Sequence, residues 1–360
     1  MKVLFVINSL ATGGAEKIIL DLIPSLTENG VVVKLLLLDD SPTPFLETLK
    51  KQNVCQIVGI GSGRVYNPLL VFRMARHFKG IDLVHVHLFP SLYWAALAKV
   101  VSWSRIPMVF TEHSTFNRRR KKWLFRITDL FMYRKYSCIV AISTEVKLYL
   151  KKHLKHGAVK FKTIQNGVHL DLFRNAIPLD RSLFVTKTKD KIIVMIARFS
   201  AEKDHETLLK AVPFFHKAVT VLLVGDGPRL SKMKELTQLL EIEDRVRFLG
   251  TREDVPNILK MADIAVLSSN HEGLSLSGIE AMASGTPLVA SKVSGLVSLV
   301  HGAGVFFEHR DYLDLAKKIN RLLDDPKWYE QKSAACLKRS EKYGLDQMVQ
   351  EHLKLYQEQC

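Results

Sequence analysis

Arg198 and Lys203 stand on one short run, Ala197-Arg198-Phe199-Ser200-Ala201-Glu202-Lys203-Asp204-His205, directly after an apolar stretch at 191–196. A guanidinium and an ammonium on one strand-to-helix loop suit a diphosphate leaving group, whose negative charge grows as its bond breaks. The same cations would also serve surface salt bridges to Glu202 or Asp204. A second stretch, His271-Glu272-Gly273-Leu274-Ser275, follows an apolar run ending at Leu267 and leads into a helix from about Leu276, with Glu280 near its start. A carboxylate there can accept bonds from both hydroxyls of a ribose. Glu272, one loop earlier, is placed for hydroxyls of a transferred sugar. Seven residues separate the two glutamates, so they do not form the close acid/base pair of a hydrolase. Near the start, Thr12-Gly13-Gly14-Ala15-Glu16 follows an apolar run. Its glycines let backbone N–H groups approach an anion at a helix N-terminus, but Gly-x-Gly-x-x-Gly is absent and a plain tight turn fits as well.

The elements that must carry these loops read as alternating β-rich apolar runs and amphipathic stretches, the pattern of βαβ units in a parallel sheet. Strands are expected at 3–7, 31–38, 56–60, 83–87, 108–111, 139–142 and 162–165, then at 191–196, 220–224, 246–249, 264–267, 287–290 and 305–307. The period lapses over 170–188, which reads as a linker. Residues 311–359 read as helical, with one break at Tyr343-Gly344. The expected domains are 1–170, 171–343 and a C-terminal helix at 344–360 that packs back on the first. In such sheets ligands bind beyond the carboxyl ends of the strands, so two of them facing each other make a cleft.

The chain has 360 residues, 47% of them hydrophobic and 24% charged, enough for two domains with sizeable cores. Cys55, Cys138, Cys336 and Cys360 show no metal or disulfide spacing, which fits a reducing compartment. The first ten residues read as a strand rather than a signal peptide. No apolar run approaches the roughly 20 residues that cross a bilayer. Residues 1–176 carry 26 Lys and Arg against 11 Asp and Glu, or +15, whereas 177–360 carry 26 against 25, or +1. A one-sided basic domain suggests an anionic partner, and a solvated face is the alternative. Much of the excess lies in Arg118, Arg119, Arg120, Lys121 and Lys122 beside Trp123. Basic residues next to aromatics on a helical stretch suit an anionic membrane surface, whereas a nucleic-acid module is not visible.

Taken together, Gly13-Gly14-Ala15-Glu16, His85-Val86-His87, Thr111-Glu112-His113, Asn166-Gly167-Val168, Arg198 with Lys203, Gly225-Asp226-Gly227-Pro228, Phe248-Leu249-Gly250, and Glu272 through Glu280 with Gly285-Thr286-Pro287 resemble glycosyltransferase family 4 over nearly the whole chain. The resemblance implies α/β GT-B architecture, two Rossmann-like domains facing across a cleft. It also implies retaining transfer of a sugar from a nucleotide diphosphate to a lipid-linked or polysaccharide acceptor, with no metal and no cofactor beyond the nucleotide-sugar co-substrate. Arg198 and Lys203 would then clamp the diphosphate, Gly14 would approach it, and Glu280 would hold the ribose. Glu272 with the N–H groups of Gly273, Leu274 and Ser275 would hold the sugar, and the nucleobase would lie near Thr251 and Arg252. Gly13, Glu16, His87 and His113 would meet the acceptor. His87 is expected to face the reacting centre and His85 the opposite side of its strand, in the core. One departure stands out: Ser294-Gly295-Leu296-Val297-Ser298 occurs where the family often has two glycines and a glutamate. The expected location is cytoplasmic, peripheral at the inner membrane face. A GT-B nucleotide-sugar epimerase and a basic nucleic-acid-binding protein are the rival readings.

Overall fold

The structure, a computed structural model, describes residues 1–61, 63–114, 120, 122–154, 159–185, 190–216 and 218–360. The chain divides into two compact units, Met1–Gly167 together with Leu345–Cys360, and Val168–Gly344.

The first unit holds β1 (Lys2–Ile7), β2 (Val32–Leu37), β3 (Gln56–Gly59), β4 (Leu83–His87), β5 (Met108–Glu112), β6 (Cys138–Ala141) and β7 (Lys160–Thr163), all parallel, in the order β3-β2-β1-β4-β5-β6-β7. Apart from Lys2, every residue of β1, β4, β5 and β6 is buried, as in strands covered by helices on both faces. The edge strands β3 and β7 are only partly covered.

The second unit holds β8 (Lys191–Ile196), β9 (Val219–Val224), β10 (Val246–Gly250), β11 (Ile264–Leu267), β12 (Leu288–Ser291) and β13 (Val305–Phe307), parallel in the order β10-β9-β8-β11-β12-β13. Its core gathers Ile193, Met195, Val221, Leu223 and Val266 from the central strands with Leu208, Leu315 and Ile319 from the helices.

Every expected strand is present; β7 begins two residues before the expected start, at Lys160. The C-terminal stretch has a break that the sequence reading did not anticipate, at Asp325 between the Tyr312–Asp324 and Pro326–Ser340 helices. Pro326 brings no N–H and suits the first position of a helix, and the Asp325 carboxylate caps the new helix by accepting from the Trp328 N–H at 2.9 Å. The second break falls at Glu341–Tyr343, before the Leu345–Gln359 helix.

In both sheets the first strand lies between the second and the fourth. Connections therefore leave in opposite directions at β1/β4 and at β8/β11, and the loops beyond the carboxyl ends of those strands part to leave a crevice.

Candidate functional site

In the second unit the loops after β8 and β11 are tied together. Lys203 Nζ donates to Glu272 Oε1 at 2.6 Å, and Ser269 Oγ donates to the same oxygen at 2.8 Å. Lys203 thus pairs with Glu272, and not with Glu202 or Asp204. Asn270 fastens the two loops further: its N–H reaches the Glu202 carbonyl at 2.7 Å and its Nδ2 the Ala201 carbonyl at 2.7 Å. Arg310 Nε donates to Asn270 Oδ1 at 2.9 Å.

The Arg198 guanidinium is exposed and makes no hydrogen bond or ion pair among the described residues. Its backbone is fixed from behind. Gly225 sits at φ +137°, where an added Cβ would lie 2.3 Å from the Ala197 carbonyl oxygen, so only glycine lets these chains meet. Phe199 N–H bonds the Asp226 carbonyl at 3.0 Å. Beneath the loop the buried His205 ring stacks on Phe199 at 4.1 Å, and burial pushes its pKa down to about 3, leaving a neutral ring.

The Leu276–Ala283 helix opens at Ser275, whose Oγ accepts from the Gly278 N–H at 3.4 Å. Gly273, Leu274 and Ser275 lead into this N-terminus, and Glu280 lies one turn on, buried. Glu272 is held by a residue the sequence comparison flagged as a departure. Gly295, at φ +86°, lies so close that a Cβ would sit 2.3 Å from the Glu272 carbonyl oxygen, and the Glu272 N–H donates to the Ser294 carbonyl at 3.4 Å. The divergent run therefore still packs against the Glu272 loop. Thr251 and Arg252 are exposed beyond β10. Arg252 donates to Asp254 through Nε and Nη2, at 2.8 and 2.6 Å.

In the first unit, Asn8 after β1 bridges to the loop after β4: its Nδ2 donates to the Phe89 carbonyl at 2.8 Å and its Oδ1 accepts from Ser91 Oγ at 2.8 Å. Gly13 caps the Gly14–Glu28 helix, and the Glu16 carboxylate folds back over it, 2.3 Å from where a Cβ on Gly13 would be.

The histidines require a correction. His85 was expected opposite His87, yet their ring centroids are 4.2 Å apart. Strand side chains alternate with a period of two, so residues 85 and 87 share a face. His85 is fully buried, with its ring nitrogens 2.6 Å from Tyr356 Oη and 2.7 Å from Thr111 Oγ1. His87 is only 1% exposed; its Nδ1 meets His113 Nε2 at 3.0 Å, and its buried Nε2 has no partner among the described residues. His113 is the less covered member of the pair. Burial is the main reason that the pKa values of His85 and His87 lie well below the ordinary range and that His113 falls to about 4. An unsatisfied buried imidazole nitrogen costs roughly 1–3 kcal/mol, which a bound hydroxyl could recover.

Arg120 also departs from expectation. It is buried, not at a membrane-facing surface, and pairs with Glu112 while donating through Nη2 to Tyr133 Oη at 2.8 Å. A buried carboxylate needs such a partner, which outweighs solvation of the guanidinium. Lys122 and Trp123 are exposed, Trp123 at 68%. Arg118, Arg119 and Lys121 lie outside the described residues.

Sequence reasoning missed Asn8, Ser269, Asn270, Tyr356 and His352. Ser269 and Asn270 carried a usable signal, short polar residues directly after a strand. Tyr356 and His352 carried none, because the helix that brings them to β4 is more than 250 residues away in sequence.

Residues 179–342 match Glycosyl transferases group 1, and residues 12–172 match Glycosyltransferase Family 4. The chain is 29% identical over 283 residues to the N-acetyl-alpha-D-glucosaminyl L-malate synthase of Bacillus anthracis, spanning 72% of this chain and 70% of that protein. It is 26% identical over 305 residues to the Escherichia coli UDP-Gal:alpha-D-GlcNAc-diphosphoundecaprenol alpha-1,3-galactosyltransferase, spanning 80% and 76%. Among solved structures, Anabaena Alr3699/HepE in complex with UDP and glucose superposes with a TM-score of 0.85 at 24% identity, over 99% of this chain and 100% of that one. The WaaG glycosyltransferase of lipopolysaccharide biosynthesis shares the fold at a TM-score of 0.75 and 14% identity, over 98% and 99%. The two family matches adjoin and span most of the sequence, and with the two Rossmann-like sheets they lead to one conclusion: the chain belongs to the group 1 glycosyltransferases of GT-B architecture.

Proposed function

We propose that this glycosyltransferase moves a sugar, with retention, from a nucleotide diphosphate to a hydroxyl of a lipid-linked or polysaccharide acceptor. The observation that carries this reading is the group at the β8/β11 switch point: the exposed Arg198 guanidinium on the loop after β8, from which Lys203 reaches Glu272 and, through its carboxylate, Ser269. Arg198 and Lys203 stabilise the departing diphosphate, which helps deprotonate the acceptor on the same face while the sugar passes through an oxocarbenium-like state. Glu272 and the amides leading to Ser275 orient the sugar, and Glu280 binds the ribose. His113 and His87, as neutral rings, meet the acceptor hydroxyl. The cations take over the charge role of a metal, so none is required. Relatives support the substrate class: one is named for a UDP-galactose donor and a diphosphoundecaprenol-linked acceptor, and a fold neighbour was crystallised with UDP-glucose.

The acceptor side is read as peripheral to an anionic membrane at the cytoplasmic face. On the Trp123–Tyr133 helix, Trp123, Ile127 and Phe131 are exposed at four-residue spacing, beside exposed Lys122 and Arg126. That is one helix face with apolar anchors and cations.

A thermal-shift screen against UDP-, GDP- and ADP-sugars, run with and without EDTA, tests the donor reading. A ligand at 100 times its Kd adds about 2.7 kcal/mol. Stabilisation by one nucleotide class that survives the chelator is expected, followed by transfer with the donor's anomeric configuration kept. No stabilisation by any of the three, or loss of binding in EDTA, would refute it. Vesicle sedimentation tests the membrane reading: capture by anionic but not neutral lipid is expected, and equal capture refutes it.

A further inference from the structure

Three consecutive residues leave the end of β5, and each side chain is held by a different part of the first unit. Thr111 and His113 point to one face. There Thr111 Oγ1 meets His85 Nε2 at 2.7 Å, His85 Nδ1 meets Tyr356 Oη at 2.6 Å, and His113 Nε2 meets His87 Nδ1 at 3.0 Å. Glu112, between them, points to the other face, and its carboxylate accepts from Arg120 and from Tyr133 Oη, the latter at 3.2 Å. The Glu112 and Arg120 side chains are 9% and 2% exposed. Beyond them Asp129, fully buried, lies 4.0 Å from Arg120 Nε and is held by Tyr93 Oη at 2.6 Å and His153 Nε2 at 2.8 Å.

We infer that Arg120 is a positioning residue for His113: by holding and neutralising Glu112 from behind the strand, it fixes the strand end that aims the adjacent, half-buried imidazole as a hydrogen-bond partner for the reacting hydroxyl and limits the pull of the carboxylate on that ring. The inference rests on the transfer reading above for what His113 does, but not for how Arg120 acts on it. An isolated carboxylate one residue from an imidazole in a buried setting draws a proton to the ring, and a paired carboxylate does so far less. The titratable groups around His113 are His85 and His87 on β4 and His352 and Tyr356 on the C-terminal helix, with Glu112 at the end of β5 and its partners Arg120, Tyr133, Asp129 and His153 behind the strand. Only Glu112 among His113's immediate influences raises its proton affinity; burial and His352 lower it. Arginine suits the task because one guanidinium serves the carboxylate and the Tyr133 hydroxyl together.

The test is ¹⁵N NMR of the imidazoles in the full chain without substrates, paired with initial rates. Arg120→Met should raise the His113 titration midpoint by at least about one pH unit, the size expected when a close opposite charge is uncovered. The acid limb of the kcat profile should move up by the same amount, while the donor KM stays within about twofold. Adding Glu112→Gln should return the midpoint to the wild-type range, which loss of packing alone would not do. Should Arg120→Met fail to fold, Arg120→Lys decides: a point charge that cannot span both partners should move the midpoint in the same direction by less. An unchanged midpoint in whichever single variant folds, or a double variant that titrates like Arg120→Met, overturns the inference. A shifted midpoint in a protein that shows no transfer would stand against the transfer reading and leave the role of Arg120 supported.

Discussion

The strand ends of the two units are furnished with opposite materials. In the first unit β4 and β5 end in His85, His87 and His113, which with His352 form a packed set of rings that burial keeps neutral. In the second unit β8 and β11 end in ions: the exposed Arg198 and the Lys203–Glu272 pair, with His205 as a buried neutral ring. Where a side chain must be buried at a strand end, a neutral ring avoids the solvation cost of a charge; where charge must be offered to an anion, it stays near solvent or in a pair. The first arrangement is exposed to acid, and the second to loss of a single charge.

Acid should separate the units by the largest margin. A histidine whose folded pKa is depressed stays neutral in the fold while the unfolded chain takes up a proton below about 6.5. Protons therefore favour unfolding, and stability that is complete above about pH 6.5 falls as pH drops toward 4, the value to which His113 and His352 are lowered. At pH 5.5 each such group costs up to about 1.4 kcal/mol. Among the described residues, His85, His87, His113, His352 and, more weakly, the half-buried His77 weigh on the first unit, and His205 on the second. Hydrogen exchange at pH 7.5 and 5.5 should show protection in β4 and β5 falling far more than in β8 and β9; equal losses would break the comparison.

Removing the exposed charge on the loop after β8 should come next. Arg198→Ala is expected to lower kcat/KM by about 10²- to 10³-fold, roughly 3–4 kcal/mol, with the melting temperature unchanged because the side chain bonds nothing among the described residues. Near-normal turnover would remove Arg198 from the diphosphate role.

Gly295→Ala sharpens the same half by acting on Glu272 without touching its carboxylate. A Cβ at φ +86° and 2.3 Å from the Glu272 carbonyl oxygen should cost about 1–3 kcal/mol and displace the loop. Weaker nucleotide-sugar binding by calorimetry is expected, with free nucleotide diphosphate affected less. Wild-type donor affinity would show that this close approach does not govern the sugar contact.

The smallest effect belongs to Tyr356→Phe, which keeps the ring but removes the hydroxyl that His85 meets at 2.6 Å. A loss of about 1 kcal/mol in urea unfolding is expected, confined to the first unit. No change would mean that water replaces the hydroxyl.

Much of this was legible in the primary structure, because strands covered on both faces must be continuous apolar runs and the loops after them carry the polar exceptions. That is why β1 through β13 could be read from local pattern, and why Arg198, Lys203, Glu272 and Glu280 stood out. Local pattern has no means of saying which of two nearby carboxylates a lysine chooses: Lys203 takes Glu272, 69 residues away, over its neighbours Glu202 and Asp204. The basic run at 118–122 looked uniform as a string, yet Arg120 turns inward to Glu112 while Lys122 stays in solvent.

The sequence alone therefore determined the architecture and the inventory of chemically active groups, since hydrophobic period and strand-end position are properties of neighbours along the chain. Only the tertiary structure decided the pairings, Lys203 with Glu272, His87 with His113, His85 with Tyr356 and Arg120 with Glu112. Burial makes an unpartnered polar group costly, so each takes the partner that packing brings within reach, however distant that partner is in sequence.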